Sequence, residues 1–420
     1  MQSLAPSFFL QMAVILLACR VVGWLGKQIG QPQVVGEMIA GVLLGPSLLG
    51  LLCPVASAKL FSPETRGILY VGAQLGVGLY MFLVGMEFRT DLFRSRVRSA
   101  ASVSIAGMVV PFMLGALLAP WLVKVPGLFS AKTEVYQAAL FLGAAIAITA
   151  FPMLARIIYE RGLSGTSLGT LALAAGAIDD AAAWCVLAIV LASFGGGAGM
   201  ALIAIGGGAL YAVIMLTVGK RALGYLGQMA EREGSVSSMM MAITLMLFCL
   251  SAWFTDTIGI HAVFGGFILG IAMPRGVLTT ELTRKLEPFT VIFLLPMFFT
   301  FSGLNTRLAV MLEPSVLFVA IVVLLASILG KGVACWAAAR LNGEDNRTSL
   351  AIGALMNSRG LMELIIINIG LQKGVIGPKL FAVLVLMAVT TTLMASPIFE
   401  WVYGRHLRQK RAPVVDALEA

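Results

Sequence analysis

Two adjacent aspartates, Asp179 and Asp180, lie in the middle of a long apolar segment of the chain. Charged side chains inside a membrane helix are costly and mark functional sites by default. Two neighbouring carboxylates cannot both stay ionised in a low-dielectric site unless a cation accompanies them. Such a site can hold a proton or a monovalent cation in turn. The pair therefore predicts a binding site for a cation and a proton.

A lysine deep in another apolar segment provides a partner for the first aspartate. Neighbouring residues on a helix point about 100° apart, so Asp180 can face a water-filled cavity while Asp179 faces a different neighbour. Lys331 follows the apolar run Ser327–Gly330. A buried lysine either loses its proton or pairs with a carboxylate. We therefore expect an ion pair between Asp179 and Lys331.

Two apolar segments carry residues that interrupt a helix. The first contains Thr149 and Pro152, and a proline removes a helical hydrogen bond and frees a carbonyl. The second contains Asn357, Ser358 and Arg359. Unwound segments near the middle of the membrane expose carbonyls and helix ends that can bind an ion. The hydroxyl of Thr149 is then expected close to the two aspartates.

Three more charges need a role. Arg359 and Glu363 are one helical turn apart, and Arg359 is expected to offset the negative ends of the interrupted helices. Glu37 lies near the start of another apolar segment. Two interpretations of Glu37 stay open: a carboxylate through which the cation enters, or an ordinary acid at the start of a helix.

The composition shows what kind of elements must position these side chains. Of the 420 residues, 59% are hydrophobic and 12% are charged, and the mean hydropathy is +0.97. Soluble domains carry about a quarter charged residues, so a soluble enzyme is excluded and an all-α polytopic membrane protein is indicated. The chain contains no GxxxxGK[ST] or HExxH motif, which argues against direct use of ATP and against a zinc metalloprotease of the HExxH class. An aspartyl protease is disfavoured because adjacent aspartates on one helix diverge.

Apolar runs of about 20 residues predict about thirteen membrane-spanning helices. Their predicted ranges are 7–26, 34–51, 66–87, 98–121, 136–158, 165–194, 200–219, 236–255, 258–273, 287–304, 314–339, 347–370 and 376–403. Lysine and arginine concentrate on alternate connections, which predicts an outside N-terminus and a cytoplasmic C-terminus in a bacterial inner membrane. An odd number of spans fits two six-helix inverted repeats joined by a linker helix. The interrupted helices are then 5 and 12, the fifth of each repeat.

With these residues in place, the chain resembles the monovalent cation/proton antiporter-2 family over essentially its whole length. The stretches that carry the resemblance are Gln33–Ser47, Leu83–Glu87, the helix of the two aspartates, His261–Phe267, Pro296–Leu304 and Met356–Leu364. The plant and fungal cation/proton exchangers are most similar, together with bacterial membrane domains of the Kef and Nap type. One departure is Phe151, which stands directly before Pro152 where many relatives have a polar residue.

The resemblance implies the sodium/proton antiporter fold, with broken helices 5 and 12 crossing in a core domain that moves like an elevator against a dimerisation domain. It implies that Asp180 binds cation and proton, that Asp179 is the acid before it, and that Lys331 is the basic partner. The implied ranges are 1–97 and 236–306 for the dimerisation domain, 98–195 and 307–404 for the core domain, 196–235 for the linker helix and 405–420 for a cytosolic tail.

The predicted function is antiport of a monovalent cation, with Na⁺ favoured and K⁺ as the second cation, against protons in pH homeostasis. Two acids and a lysine favour an electrogenic exchange of two protons for one cation. The alternatives are an electroneutral K⁺/H⁺ antiporter or efflux subunit, and a cation channel. The predicted partners are the cation, H⁺, the bilayer, a second copy of the chain and a soluble regulator, with no cofactor and no nucleic acid.

Overall fold

The structure, a computed structural model, describes residues 4–87, 97–161, 163, 166–193, 197–259, 262–306 and 308–404. Within these ranges the ordered elements are helices, apart from one antiparallel bridge between Phe129 and Ile376. The predicted tail at 405–420 lies outside the described residues. The helices are α1 (Leu4–Gln28), α2 (Gln33–Leu44), α3 (Leu49–Leu52), α4 (Pro54–Leu60), α5 (Pro63–Glu87), α6 (Val97–Leu122), α7 (Val135–Ala147), α8 (Phe151–Glu160), α9 (Ser167–Ser193), α10 (Gly197–Ile214), α11 (Lys220–Glu233), α12 (Ser238–Thr257), α13 (Ala262–Ala272), α14 (Val277–Phe289), α15 (Leu295–Leu304), α16 (Pro314–Leu341), α17 (Asn346–Met356), α18 (Leu361–Gln372) and α19 (Pro378–Phe399).

Short segments of other helix types complete the chain. Met215–Gly219, Thr290–Leu294 and Glu400–Gly404 are π-helical, and Leu308–Leu312 is a 3₁₀ helix. In the described part of the chain, nine helical segments are long and apolar enough to cross a bilayer, and three shorter apolar helices of 10–17 residues accompany them. The prediction of an all-α polytopic membrane protein is therefore confirmed.

The span predicted over 34–51 agrees with the apolar helical segment Gln33–Leu52. Within it, α2 ends at Leu44, because Pro46 disfavours a helical backbone at the residue before it. Two other predicted helices have the wrong bounds. The helix predicted over 200–219 continues as α11, and the one predicted over 287–304 already begins with α14. A prediction from hydropathy ends a span at the first charged residues. The helix itself can continue beyond them, because Lys, Arg and Glu are good helix formers.

One compact unit comprises Met1–Val22, Glu37–Thr90 and Trp184–Thr306. In it α5 packs against α13 and α15, and glycines allow the helix backbones to approach closely. A methyl group built on Gly41 of α2 would lie 2.2 Å from the carbonyl oxygen of Phe299. A methyl group on Gly85 of α5 would lie 2.3 Å from the carbonyl oxygen of Phe267. Small residues at such contacts are typical of helix packing in membranes.

The second compact unit comprises Gly23–Gly36, Asp91–Ala183 and Arg307–Ala420. In it α6 packs against α7 and α16, and α16 packs against α17 and α19. Val103, Leu171, Cys335 and Leu355 belong to its buried apolar core. Both aspartates lie in this unit, on α9. The division into transport and dimerisation domains stays a prediction.

Candidate functional site

Two interrupted helices meet inside the second unit. α7 ends at Ala147 and α8 begins at Phe151, while α17 ends at Met356 and α18 begins at Leu361. The backbone amide of Ala150, in the first interruption, donates a hydrogen bond of 3.2 Å to the carbonyl of Ser358, in the second. The interruptions therefore contact each other through the backbone groups that the missing helical turns leave free.

Pro152 does not lie at the interruption itself. It is the second residue of α8, and a proline in the first turn of a helix costs no helical hydrogen bond, because the amides there have no intrahelical partner. The non-helical residues are 148–150, directly before α8. The predicted position of the interruption is therefore correct. The predicted role of Pro152 is not, because Pro152 lies in the first turn of the second half of the broken helix.

Two buried cations satisfy the free carbonyls at the end of α7. The last four carbonyls of a helix have no partner within it and carry its negative partial charge. Arg359 donates to two of them and to the carbonyl directly after the helix: Nη1 lies 2.9 Å from the oxygen of Ala145 and 3.2 Å from that of Ile148, and Nη2 donates to Ile146. Lys331 Nζ donates to a third carbonyl of the helix, at Ala147. The end of α7 therefore faces two positive side chains.

Arg359 has two further contacts. Its Nη2 lies 2.5 Å from Oγ of Ser327 on α16, and its Nη1 lies 3.4 Å from Oε1 of Glu363 on α18. The Arg359 side chain is fully buried. A planar guanidinium with five N–H groups can serve several acceptors at once, so Arg359 connects α7, α16 and α18.

Asp179 is surrounded by hydrogen-bond donors. Its Oδ1 accepts a 2.5 Å hydrogen bond from the Ser104 hydroxyl of α6. Its Oδ2 accepts a 2.6 Å hydrogen bond from the Thr149 hydroxyl and lies 3.1 Å from Nζ of Lys331. The same Nζ donates to the carbonyl of Gly107 at 2.9 Å. Asp179 thus accepts from three donors, and Nζ of Lys331 donates to three acceptors, at Gly107, Ala147 and Asp179.

Asp180 has the opposite surroundings. It is 0% exposed, and neither of its carboxylate oxygens accepts a hydrogen bond from the residues that the structure describes. The backbone amide of Phe151, at the N-terminus of α8, lies near this carboxylate. A buried carboxylate without a partner is costly when ionised and alone. Of the two adjacent carboxylates, Asp180 is therefore the one without a hydrogen-bond donor among the described residues.

The other predicted residues fall into two groups. Nδ2 of Asn357 donates to the carbonyl of Gly353 at 3.2 Å, whereas its Oδ1 and the Oγ of Ser358 are buried without a hydrogen-bond partner in the described ranges. Both residues lie at the second interruption. Glu37 belongs to the other unit and is a buried residue of α2, 1% exposed.

The predicted site residues also contact three residues that the sequence analysis did not identify: Ser104, Gly107 and Ser327. Ser104 is one of three serines in α6, and a hydroxyl in a helix often bonds to its own backbone. Gly107 contributes only a carbonyl. The one signal in the sequence was the presence of a serine in a span, and it does not indicate which acid that serine contacts.

Buried carboxylates and buried basic side chains at two broken helices that contact each other are typical of a secondary transporter. The family described as sodium/hydrogen exchanger, transmembrane, matches residues 13–403 of the chain. The chain therefore belongs to this family of monovalent cation/proton antiporters. It is an integral membrane protein that exchanges a monovalent cation for protons.

Individual relatives agree with this assignment. The chain is 40% identical over 401 residues to the Na⁺/H⁺ antiporter NhaS4 of Synechocystis sp., covering 93% of this chain and 95% of that protein. It is 31% identical over 407 residues to K⁺/H⁺ antiporter 1 of Saccharomyces cerevisiae, and spans 46% of that longer protein. The solved structure of the sodium proton antiporter MjNhaP1 from Methanocaldococcus jannaschii has a TM-score of 0.66 and covers 97% of this chain and 99% of its own. At 14% identity, that likeness shows the fold alone.

Proposed function

We propose that this antiporter exchanges Na⁺, and secondarily K⁺, for protons at the carboxylate of Asp180. The observation that carries the proposal is the contrast between Asp180, which has no hydrogen-bond partner among the described residues, and Asp179, which has three donors. The names of the relatives support both cations, since one is a Na⁺/H⁺ antiporter and the other a K⁺/H⁺ antiporter.

Competition at one carboxylate couples the two fluxes. A buried, ionised and unpartnered carboxylate is costly, so the carrier crosses the membrane with Asp180 either protonated or bound to a cation. An alternating-access motion then presents the loaded site to one side and afterwards to the other. A cation bound on one side is exchanged for a proton bound on the other, and neither ion moves alone.

The ion pair beside Asp180 favours the electrogenic version. A cation at Asp180 lies next to Asp179 on the same helix and competes with Lys331 for its negative charge. A buried ammonium group that loses its counter-ion is destabilised and releases its proton. Two protons, one from Asp180 and one from Lys331, would then exchange for one cation.

The decisive variant is Asp180→Asn, which keeps the size of the side chain and removes its charge. In everted vesicles, dequenching of a pH dye by Na⁺, K⁺, Li⁺ and Rb⁺ should be abolished. The matched control is Asp256→Asn, at an exposed aspartate near the end of α12, and it should keep the wild-type response. Cation-dependent dequenching by Asp180→Asn would contradict the proposal.

Reconstituted liposomes test coupling and stoichiometry. We expect an imposed membrane potential to change the rate of exchange, because one net positive charge moves with the protons. A rate that is indifferent to potential would contradict the electrogenic version. Sustained cation flux without any movement of protons would instead show a channel.

The proposal also includes the membrane that holds the protein and the orientation of its two termini. We propose a bacterial inner membrane with the N-terminus outside and the C-terminus in the cytoplasm, because lysine and arginine concentrate on one set of connections. We also propose a homodimer, and a transporter without enzymatic activity. Labelling of single cysteines introduced near each terminus, with a membrane-impermeant reagent, tests the orientation, and the mass of the detergent-solubilised complex tests the dimer.

A further inference from the structure

We infer that Ser104 is a positioning residue for cation exchange: its hydroxyl holds Asp179 in the orientation in which the neighbouring Asp180 can exchange a proton for a cation. The inference rests on the proposed function of Asp180. It concerns α6, a helix that carries no acidic or basic residue within its apolar part after Arg98.

One turn of α6 contacts both members of the buried ion pair. Ser104 donates to Oδ1 of Asp179 at 2.5 Å, and the carbonyl of Gly107, three residues later, accepts from Nζ of Lys331 at 2.9 Å. The interruption after α7 makes the same two kinds of contact, with the hydroxyl of Thr149 and the carbonyl of Ala147. Each member of the pair is therefore held from two sides.

The two oxygens of Asp179 are not equivalent. Oδ2 has two donors, Thr149 and Lys331, whereas Ser104 is the one donor to Oδ1 in the described part of the chain. Terminal carboxylate torsions are broad, so loss of the Ser104 hydroxyl allows the carboxylate to rotate about its remaining contacts on Oδ2. Since Asp180 follows directly on α9, such a rotation alters the field and the space that a cation meets there.

A hydroxyl is suited to this role because it is neutral. Lys331 stabilises Asp179 with a full positive charge that repels an incoming cation, whereas Ser104 stabilises the same carboxylate by a charge-assisted hydrogen bond without that repulsion. When the cation weakens the ion pair, the Ser104 contact can persist. Ser104 thus acts on cation binding through Asp179, while Asp180 binds the ion.

The test compares Ser104→Ala with Ser104→Thr, which keeps the hydroxyl, and with the control Ser102→Ala on the same helix. Ser104→Ala is expected to raise the apparent KM for Na⁺ about tenfold, the size of one charge-assisted hydrogen bond, with kcat within about twofold of wild type. Na⁺ binding also raises the melting temperature of the detergent-purified protein. The Na⁺ concentration that gives half of this rise should increase by the same factor. Ser104→Thr and Ser102→Ala should stay within about threefold of wild type.

Several results would overturn the inference. One is a wild-type KM and wild-type Na⁺ stabilisation for Ser104→Ala. Another is a fall in kcat and in cation-free melting temperature with unchanged KM, which would show a structural role only. If Ser104→Ala is not recovered folded, Ser104→Cys replaces it, with the same shape and a weaker donor, and a KM equal to wild type would also overturn the inference.

Asp180→Asn measured in parallel separates this inference from the proposed function. If Asp180→Asn still exchanges cations for protons, the proposed function fails. If Asp180→Asn is inactive and Ser104→Ala has the KM of the wild type, the proposed function stands and only the role of Ser104 is overturned.

Discussion

Asp179 and Asp180 are consecutive, fully buried residues of one helix, yet Asp179 accepts three hydrogen bonds and Asp180 accepts none from the described residues. The helical rotation of about 100° between them separates their surroundings. One aspartate is held by donors, and the other is the carboxylate at which we propose that the ion binds.

The buried ion pair should contribute far more to stability than an exposed one. Lys331→Met leaves Asp179 as a buried charge without its cation, which costs about 3–5 kcal/mol. Lys379→Met removes a partly exposed pair with Glu313, which should cost less than about 1 kcal/mol. Thermal unfolding in detergent measures both. The double variant Asp179→Asn with Lys331→Met should recover part of the loss, and equal effects of the two single lysine variants would contradict the prediction.

Arg359 should not be replaceable by lysine. Its guanidinium donates to the carbonyls of Ala145, Ile146 and Ile148 and to Ser327, and a lysine ammonium is a point charge without this fork. We expect Arg359→Lys to lose most antiport activity and to lower the melting temperature, since buried carbonyls left without a donor cost about 1–3 kcal/mol each. The control is Arg340→Lys, at the exposed end of α16, which should be neutral. Wild-type activity in Arg359→Lys would show that the several hydrogen bonds of the guanidinium group are not needed.

Close helix packing should make some glycines irreplaceable. A methyl group at Gly41 would lie 2.2 Å from the carbonyl oxygen of Phe299, whereas one at Gly67 meets nothing within 4 Å. Gly41→Ala is therefore expected to destabilise the protein by about 1–3 kcal/mol. Gly67→Ala should be neutral or stabilising by up to about 1 kcal/mol, because alanine favours the helix. Melting temperatures of both variants check this, and a stable Gly41→Ala would show that α2 and α15 can separate at little cost.

Asp345 should make stability depend on pH at the start of α17. The Thr348 hydroxyl and the backbone amides of Thr348 and Arg347 donate to its carboxylate and hold the pKa of Asp345 below its ordinary value. Because the folded pKa is the lower one, this contribution is complete above the unfolded pKa of about 4 and is lost as the pH falls through the folded pKa.

At pH 7, Asp345→Ala is expected to lower the stability by about 1 kcal/mol, the value of a helix cap. Asp345→Asn, which still caps but does not titrate, is the control. The difference between wild type and Asp345→Ala should shrink as the pH falls below about 4. A difference that stays constant over this range would show that the charge of Asp345 does not contribute.

Most of the helices and the identities of the buried charges could be predicted from the sequence. Apolar runs indicate helices because every backbone polar group in lipid must be satisfied internally. Asp179, Asp180, Lys331 and Arg359 could be selected because a charge in such a run is too costly without a function. The continuation into α11 and the early start at α14 were mispredicted, because hydropathy detects the apolar span and not the whole helix.

The tertiary structure decided which partners each charge has. Ser104 and Asp179 are 75 residues apart in the chain, and Arg359 is more than 200 residues from the carbonyls that it binds. Sequence patterns act within one helix, over three or four residues, whereas these contacts arise from the packing of α6, α7, α9 and α16 around two interruptions. The types of residue in the site are therefore a property of the sequence, and the difference between Asp179 and Asp180 is a property of how the helices pack.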